Sequence, residues 1–278
     1  MSTATLSEPR PAPVRSEVVT VYPVTQRRVF TSEWIKFSTL RSSWITLVLA
    51  MLGTIGVGAL ASWGANGRWS HMSPADQATF SPISQSLVGV NLAQLAVGVL
   101  GVLIITGEYA TGMIRATLSA VPTRLPVLWA KLGVFAGVTF VVSLASALVA
   151  FFVGQGLLTT HGVGLGAPHA LRAVIGVALY LTVAGALAMG IGFAVRSTAG
   201  GIAAVFGLLL VIPGLVHALP SSWQPHILPY LPSNAGSTLF TLHPDAGSLS
   251  PWTGFAVMCL WAAAAILGGA WLLKRRDA

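Results

Sequence analysis

The sequence predicts an all-α fold in which six helices cross a membrane, and three observations lead to this prediction. Six apolar segments are each long enough, because about 20 helical residues rising roughly 1.5 Å each span a hydrocarbon core of roughly 30 Å. Hydrophobic residues make up 54% of the chain and charged residues only 8%, whereas an average soluble domain has about 25% charged residues. The third observation is that Lys and Arg residues are concentrated in every second segment between the predicted spans. The predicted spans lie near residues 44–63, 87–106, 132–158, 171–194, 199–217 and 252–273.

The positions of the basic residues predict how the chain is oriented. Of the 15 Lys and Arg residues, 13 precede the first span, follow the sixth, or lie between spans two and three or four and five. Arg68 and Arg172 fall in the other connections. Because basic residues concentrate on the cytoplasmic side of membrane proteins, both termini are predicted to be cytoplasmic. Membrane topology thus accounts for the net charge of +8, and no nucleic-acid partner is expected.

The segment before the first span predicts an arm followed by a short helix. Residues 1–29 are expected to form a disordered cytoplasmic arm, because residues 1–25 are rich in Ser, Thr and Pro. Residues 30–278 are expected to form the membrane domain. Apolar residues recur at helical period within residues 30–41, which predicts a helix on the inner membrane surface, here called the approach helix. The alternative is a plain extension of span one. The apolar stripe is Phe30, Trp34, Phe37 and Leu40, and the charged residues off it are Glu33, Lys36 and Arg41.

The connection between spans two and three holds a carboxylate that needs a partner. Glu108 sits where the second span leaves the hydrocarbon. An ionised group there is costly unless it is paired or reaches the interface. We therefore expect a basic partner among Arg115, Arg41 and Lys131.

A short amphipathic helix is predicted in the same connection. Glu108, Gly112 and Arg115 share one face at helical spacing. The helix should end before Pro122, because a residue that precedes proline disfavours the α conformation. Gly112 is expected to let a neighbouring backbone come close. The alternative is a connector whose positive charge only sets topology. Basic residues flank the entry to span three at Arg124 and Lys131.

Inside the predicted spans the strongest polar groups are amides. Asn91 and Gln94 lie three residues apart in span two, and Gln155 lies near the outer end of span three. They either hold helices together or line a translocation path. No span carries a mid-membrane charge, which argues against a proton-coupled transporter. A row of small residues in span four suits close packing within the bundle or between protomers: Ala184, Ala188 and Gly192.

The connection over residues 218–251 contains six prolines and no Lys or Arg. Prolines exclude one long helix there. Its apolar pieces HILPYL and STLFTL are expected to form short helices at the outer interface. The six histidines of the chain lack an HxH or HxxxH spacing, so no metal site is expected.

Three polar stretches occur in an order shared with a known family of membrane proteins. The first is Glu33-Trp34-Ile35-Lys36 with Leu40-Arg41-Ser42, the second is Glu108-x3-Gly112 followed by Leu118, Pro122, Arg124 and Lys131, and the third is Leu231-Pro232-Ser233-Asn234-Ala235-Gly236. Together they resemble the second-type ABC exporter permeases, especially short actinobacterial members with six spans. The resemblance covers about residues 28–276.

This resemblance implies a partner and a site. In that family the approach helix lies on the inner leaflet, and the connection between spans two and three docks into a separate cytoplasmic ATPase. Asn91, Gln94 and Gln155 remain candidates for the translocation path. The resemblance makes Glu108, Gly112, Arg115, Pro122, Arg124 and Lys131 the candidate ATPase-coupling residues, with Glu33, Trp34, Lys36 and Arg41 beside them in the approach helix.

The function implied is that of a permease subunit in the bacterial plasma membrane. Two permease copies, identical or different, would form the path. The chain has no G-x-x-x-x-G-K-[ST] phosphate loop, so ATP and magnesium are expected in the partner ATPase and no cofactor or enzymatic activity in this chain. The alternative is a six-span membrane enzyme or assembly factor acting on lipid or cell-envelope precursors.

Overall fold

The structure, a computed structural model, describes residues 25–121, 123–242 and 247–275. These residues form helices and turns, with no strand among them. The predicted all-α fold is therefore confirmed. The α-helices are Gln26–Thr39, Arg41–Arg68, Pro74–Thr79, Pro82–Leu87, Val90–Ala110, Met113–Ala120, Leu125–Leu157, Ala170–Val195, Thr198–Phe206, Ile212–His217, Gln224–Ile227, Pro232–Ser237 and Pro251–Arg275.

Within the described ranges, six helical segments are long and apolar enough to cross a membrane. Each contains most of a segment that the sequence predicts, but all extend further than expected. The first exceeds its prediction most, because the helix Arg41–Arg68 continues into a 3-10 turn at Trp69–His71. The second begins earlier than predicted, because the short helix Pro82–Leu87 leads into Val90–Ala110. The six segments, called spans 1 to 6 below, are Arg41–His71, Pro82–Ala110, Leu125–Leu157, Ala170–Val195, Thr198–His217 and Pro251–Arg275.

Span 4 is the centre of the bundle and packs against spans 2, 3 and 6. Its predicted row of small residues lies against span 2. A Cβ added to Gly101 of span 2 would lie 3.1 Å from Ala188 Cβ and 2.5 Å from the Gly185 carbonyl oxygen. Ala184 and Ala188 are fully buried. Of the two roles left open by the sequence, the row serves close packing within the bundle.

The approach helix covers Gln26–Thr39, so it begins before residue 30. Leu40 has an extended backbone, with φ −82° and ψ 104°, and span 1 starts at Arg41. The helix is therefore separate from span 1, and it packs mainly against span 3. An arm was predicted over residues 1–29. Residues 1–24 of it lie outside the described residues, and residues 26–29 belong to the approach helix.

The approach helix buries a different face from its apolar stripe. Phe37 is buried, but Phe30, Trp34 and Leu40 are 44–51% exposed. Glu33, off that stripe, is only 3% exposed. A helix with apolar residues on its outer side suits contact with lipid, while its carboxylate side faces the bundle.

The connection between spans 5 and 6 is built of short pieces. The HILPYL stretch forms the helix Gln224–Ile227 and a 3-10 turn at Leu228–Tyr230, as expected. The STLFTL stretch instead follows the helix Pro232–Ser237 as turns. Leu239 and Phe240 from it are buried against span 4, because a Cβ at Gly176 would meet Leu239 and the Phe240 ring packs on Tyr180.

Candidate functional site

Four charged side chains from three separate parts of the chain meet in one network, which we call the ion cluster: Glu33, Lys36, Glu108 and Lys131. Lys131 Nζ lies 2.5 Å from Glu33 Oε2 and 2.8 Å from Glu108 Oε1. Lys36 Nζ lies 2.9 Å from Glu33 Oε1 and 3.0 Å from Glu108 Oε1. Each ammonium group therefore bridges both carboxylates, and the cluster is formally neutral.

The ion cluster is buried. Glu33, Lys131 and Glu108 are 3%, 4% and 6% exposed, and the Lys36 side chain is 27% exposed. Removing charges from water costs several kcal/mol per ion, and pairing with good geometry offsets this cost. Burial alone would lower the pKa of Lys36, but its hydrogen bond to Glu33 and the nearby charge of Glu108 raise that pKa above the ordinary value. Lys36 therefore stays charged at neutral pH.

The helix geometry explains how these four side chains meet. Glu33 and Lys36 are three residues apart, so they lie on adjacent positions of the approach helix. Glu108 stands in the last turn of span 2, and Lys131 in the second turn of span 3. The cluster thereby joins the approach helix to the ends of two spans.

The short helix Met113–Ala120, called the loop helix here, is attached to the cluster. Lys36 Nζ donates a hydrogen bond to Thr117 Oγ1 over 3.1 Å. Ile114 and Leu118 of the same helix are buried. The loop helix is thus held both by apolar packing and by one polar contact to the ion cluster.

The structure corrects the predicted geometry of Gly112. Span 2 ends at Ala110, and Gly112 has φ +70° before the loop helix begins. Glu108, Gly112 and Arg115 therefore do not share one helical face, and that prediction was wrong. A Cβ on Gly112 would meet no atom within 4 Å among the described residues, so the glycine provides a left-handed turn and not a close backbone approach.

The partner of Glu108 is also now defined. Lys131, one of the three expected candidates, pairs with it, whereas Arg115 and Arg41 are exposed. Lys36, which was predicted only as a residue of the approach helix, is a second partner of Glu108. The three-residue spacing of Glu33 and Lys36 could have indicated that both charges lie on the same side of the approach helix. Pro122, the predicted stop of the loop helix, lies outside the described residues; the helix ends at Ala120.

Two arginines tie the last span to the same end of the bundle. Arg124 donates from Nη1 to the Leu273 carbonyl oxygen over 2.9 Å, and Arg196 donates from Nη2 to that of Leu272 over 3.4 Å. Cations near the last carbonyls of a helix interact favourably with its dipole. Arg124 was predicted as a residue flanking span 3, but these contacts were not predicted, because the three segments are far apart in the chain.

The three candidate path amides have different environments. Gln155 is buried, donates to the Pro82 carbonyl and to Ser86 Oγ, and accepts from the Val163 amide. Gln94 is buried and accepts a hydrogen bond from the Tyr180 hydroxyl.

Asn91 is exposed, and among the described residues its side chain donates only to the nearby Val88 carbonyl, in its own span. Of the three amides, Gln94 and Gln155 therefore form hydrogen bonds between helices, and Asn91 does not.

The described residues contain no candidate metal site, and comparison with known proteins identifies no family. In residues 25–121, 123–242 and 247–275, no three His, Cys, Asp or Glu side chains are grouped so that they could hold a metal ion. No model of a known protein family matches the sequence, and no curated protein matches it significantly.

Proposed function

We propose that the chain is the permease subunit of an ATP-driven ABC exporter in a bacterial plasma membrane. Two copies form the translocation path, and a separate cytoplasmic ATPase supplies the energy from ATP and magnesium. The observation that carries this proposal is the buried ion cluster. It joins the approach helix, the loop helix and the ends of spans 2 and 3, which is the arrangement that a coupling device requires.

The proposed mechanism divides the loop region into a docking surface and a transmitter. Arg115 is exposed on the loop helix and contacts the ATPase. Thr117 connects that helix to Lys36, and Lys36 shares Glu108 with Lys131. A displacement of the loop helix when the ATPase closes is thereby passed to spans 2 and 3 together.

The proposed orientation follows from where the basic groups gather. Lys36 and Lys131 share Glu108, and Arg124 and Arg196 contact neighbouring carbonyls of span 6. Arg124 immediately precedes span 3 and Lys131 lies in its second turn, so the four basic residues lie at one end of the bundle. Under the positive-inside rule this end faces the cytoplasm, where the ATPase is. Export and two permease copies rest on the family resemblance, because six spans correspond to half of such a transporter.

The path is proposed to run where two copies meet. Asn91 is the strongest of the three amide candidates, because its side chain is exposed. Gln94 and Gln155 are committed to contacts within the chain.

The test is co-purification followed by reconstitution. The chain should retain a cytoplasmic ATPase through purification, and proteoliposomes holding both should hydrolyse ATP and move substrate. The chain by itself should hydrolyse no ATP and turn over no lipid. Turnover of a lipid or cell-envelope precursor by the chain alone would overturn the proposal in favour of a six-span membrane enzyme.

A further inference from the structure

A cavity of about 490 Å³ lies beside the ion cluster. It is bounded by the approach helix, the start of span 1, the end of span 2 and the start of span 3. Most of its wall is apolar and includes Phe37, Leu103, Ile104 and Val134. Because it lies where spans 1, 2 and 3 begin or end, it is at the level of the membrane interface.

Two buried polar atoms of this cavity's residues have no hydrogen-bond partner among the described residues. They are Glu108 Oε2 and Ser43 Oγ. Glu108 is 6% exposed and Ser43 is fully buried. Buried polar groups are nearly always paired, so an unpaired carboxylate oxygen indicates a missing donor.

The cluster itself does not supply this donor. Lys36 Nζ already donates to Glu33, Glu108 and Thr117, which uses all three of its hydrogens. Lys131 Nζ donates to Glu33 and to Oε1 of Glu108, and its third hydrogen makes no hydrogen bond to Oε2. A ligand that completes the site therefore brings its own N–H or O–H donor, and a positive charge strengthens that bond.

The start of span 1 supplies a complementary feature. Leu40, Ser42 and Ser43 line the cavity, and the first turn of the 28-residue helix Arg41–Arg68 has no side-chain cap. Free backbone N–H groups at a helix N-terminus favour phosphate. One cavity thus combines an acceptor for a cationic donor, a place for phosphate and an apolar wall.

We propose that this cavity binds one membrane phospholipid whose headgroup carries a primary amine. The amine donates to Glu108 Oε2, the phosphate lies at the start of span 1, and the acyl chains follow the apolar wall. The proposal is independent of transport, because it concerns only the membrane that surrounds the chain.

The test measures which lipids the purified chain retains. The full chain in detergent is given an equimolar mixture of phosphatidylethanolamine, phosphatidylcholine and phosphatidylglycerol with identical acyl chains, and bound lipids are counted by native mass spectrometry. Phosphatidylcholine keeps the positive charge but has no N–H donor. We expect about tenfold preference for phosphatidylethanolamine over phosphatidylcholine, the size expected for one hydrogen bond to a charged group.

Two variants and a matched control locate the binding. Gly107 lines the cavity, and a Cβ there meets no described atom within 4 Å. Gly107→Leu therefore adds a side chain at the cavity wall while leaving the four charged residues of the ion cluster unchanged, and it should abolish the preference, as should Glu108→Gln. Gly137→Leu introduces the same side chain at another open helical position and should keep it.

Three outcomes would overturn the proposal. The first is equal retention of the ethanolamine and choline lipids by the unmodified chain. The second is a preserved preference in Gly107→Leu, whose folding is checked by its melting temperature. The third is displacement of the bound lipid by an equal concentration of glycerophosphoethanolamine, which would show that a free headgroup suffices.

Discussion

The two ends of the helical bundle are held together by different chemistry. At one end, called the cluster end, ion pairs and arginine-to-carbonyl bonds join the segments, together with a few neutral bonds such as that from Gln26 to the Pro126 carbonyl. At the other end, called the amide end, neutral amides connect the segments. Gln155 joins span 3 to span 2, Gln85 donates to the Ala61 carbonyl of span 1, and Thr159 donates to Asn66.

This difference indicates which end is sensitive to change. A neutral hydrogen bond contributes about 1 kcal/mol, and its loss is local. Removing one member of a buried ion pair leaves an uncompensated charge, which costs more than the pair itself contributes. The amide end is therefore suited to holding the bundle closed. The cluster end is suited to transmitting a movement, because its four members depend on each other.

The largest expected effect is at Lys131. Lys131→Met leaves Glu33 and Glu108 with Lys36 as their only ammonium partner in the cluster. We expect a loss of about 3–5 kcal/mol in the free energy of unfolding. The measurement is reversible unfolding in mixed micelles.

Two controls sharpen this expectation. Glu108→Gln combined with Lys131→Met restores the balance of charge in the cluster and should recover part of the loss. Lys274→Met removes an exposed ammonium group of span 6 and should change stability by about 0.5 kcal/mol or less. Equal effects of Lys131→Met and Lys274→Met would show that the cluster is not a coupled unit.

A smaller effect is expected at the amide end. Gln155→Leu removes the acceptor of the Val163 amide and two donated bonds. We expect a loss of about 1–2 kcal/mol under the same unfolding conditions. Asn91→Leu is the matched control, because Asn91 is exposed and bonds only within its own span; it should cost well under about 1 kcal/mol. A larger loss for Asn91→Leu than for Gln155→Leu would contradict this contrast between a bonded and an exposed amide.

The spans were predictable from the sequence because their signal is local. Length and hydropathy identify a helix of about 20 apolar residues without knowledge of its neighbours. The break at Leu40 and the turn at Gly112 depend on backbone conformations that the surrounding packing selects. For that reason the predicted shared face of Glu108 and Arg115 failed, although both residues lie in the predicted connection.

The site was predictable only in its parts. Glu108 needs a partner on physical grounds, and Lys131 was among the candidates. Which candidate pairs with it depends on how the approach helix packs on span 3, and periodicity within residues 30–41 did not reveal that Glu33 faces inward. The unpaired Glu108 Oε2 is likewise a property of the assembled helices.

The most direct test of the account separates docking from transmission at the cluster end. Arg115→Ala and Glu108→Gln are each reconstituted with the proposed partner ATPase, and ATPase binding, ATP hydrolysis and transport are measured together. Arg115→Ala should weaken ATPase binding by about tenfold, the loss of one charge-assisted hydrogen bond. Glu108→Gln should bind the ATPase normally but transport less substrate per ATP hydrolysed. Unchanged binding, hydrolysis and transport in both variants would contradict the account and show that this region only connects two spans.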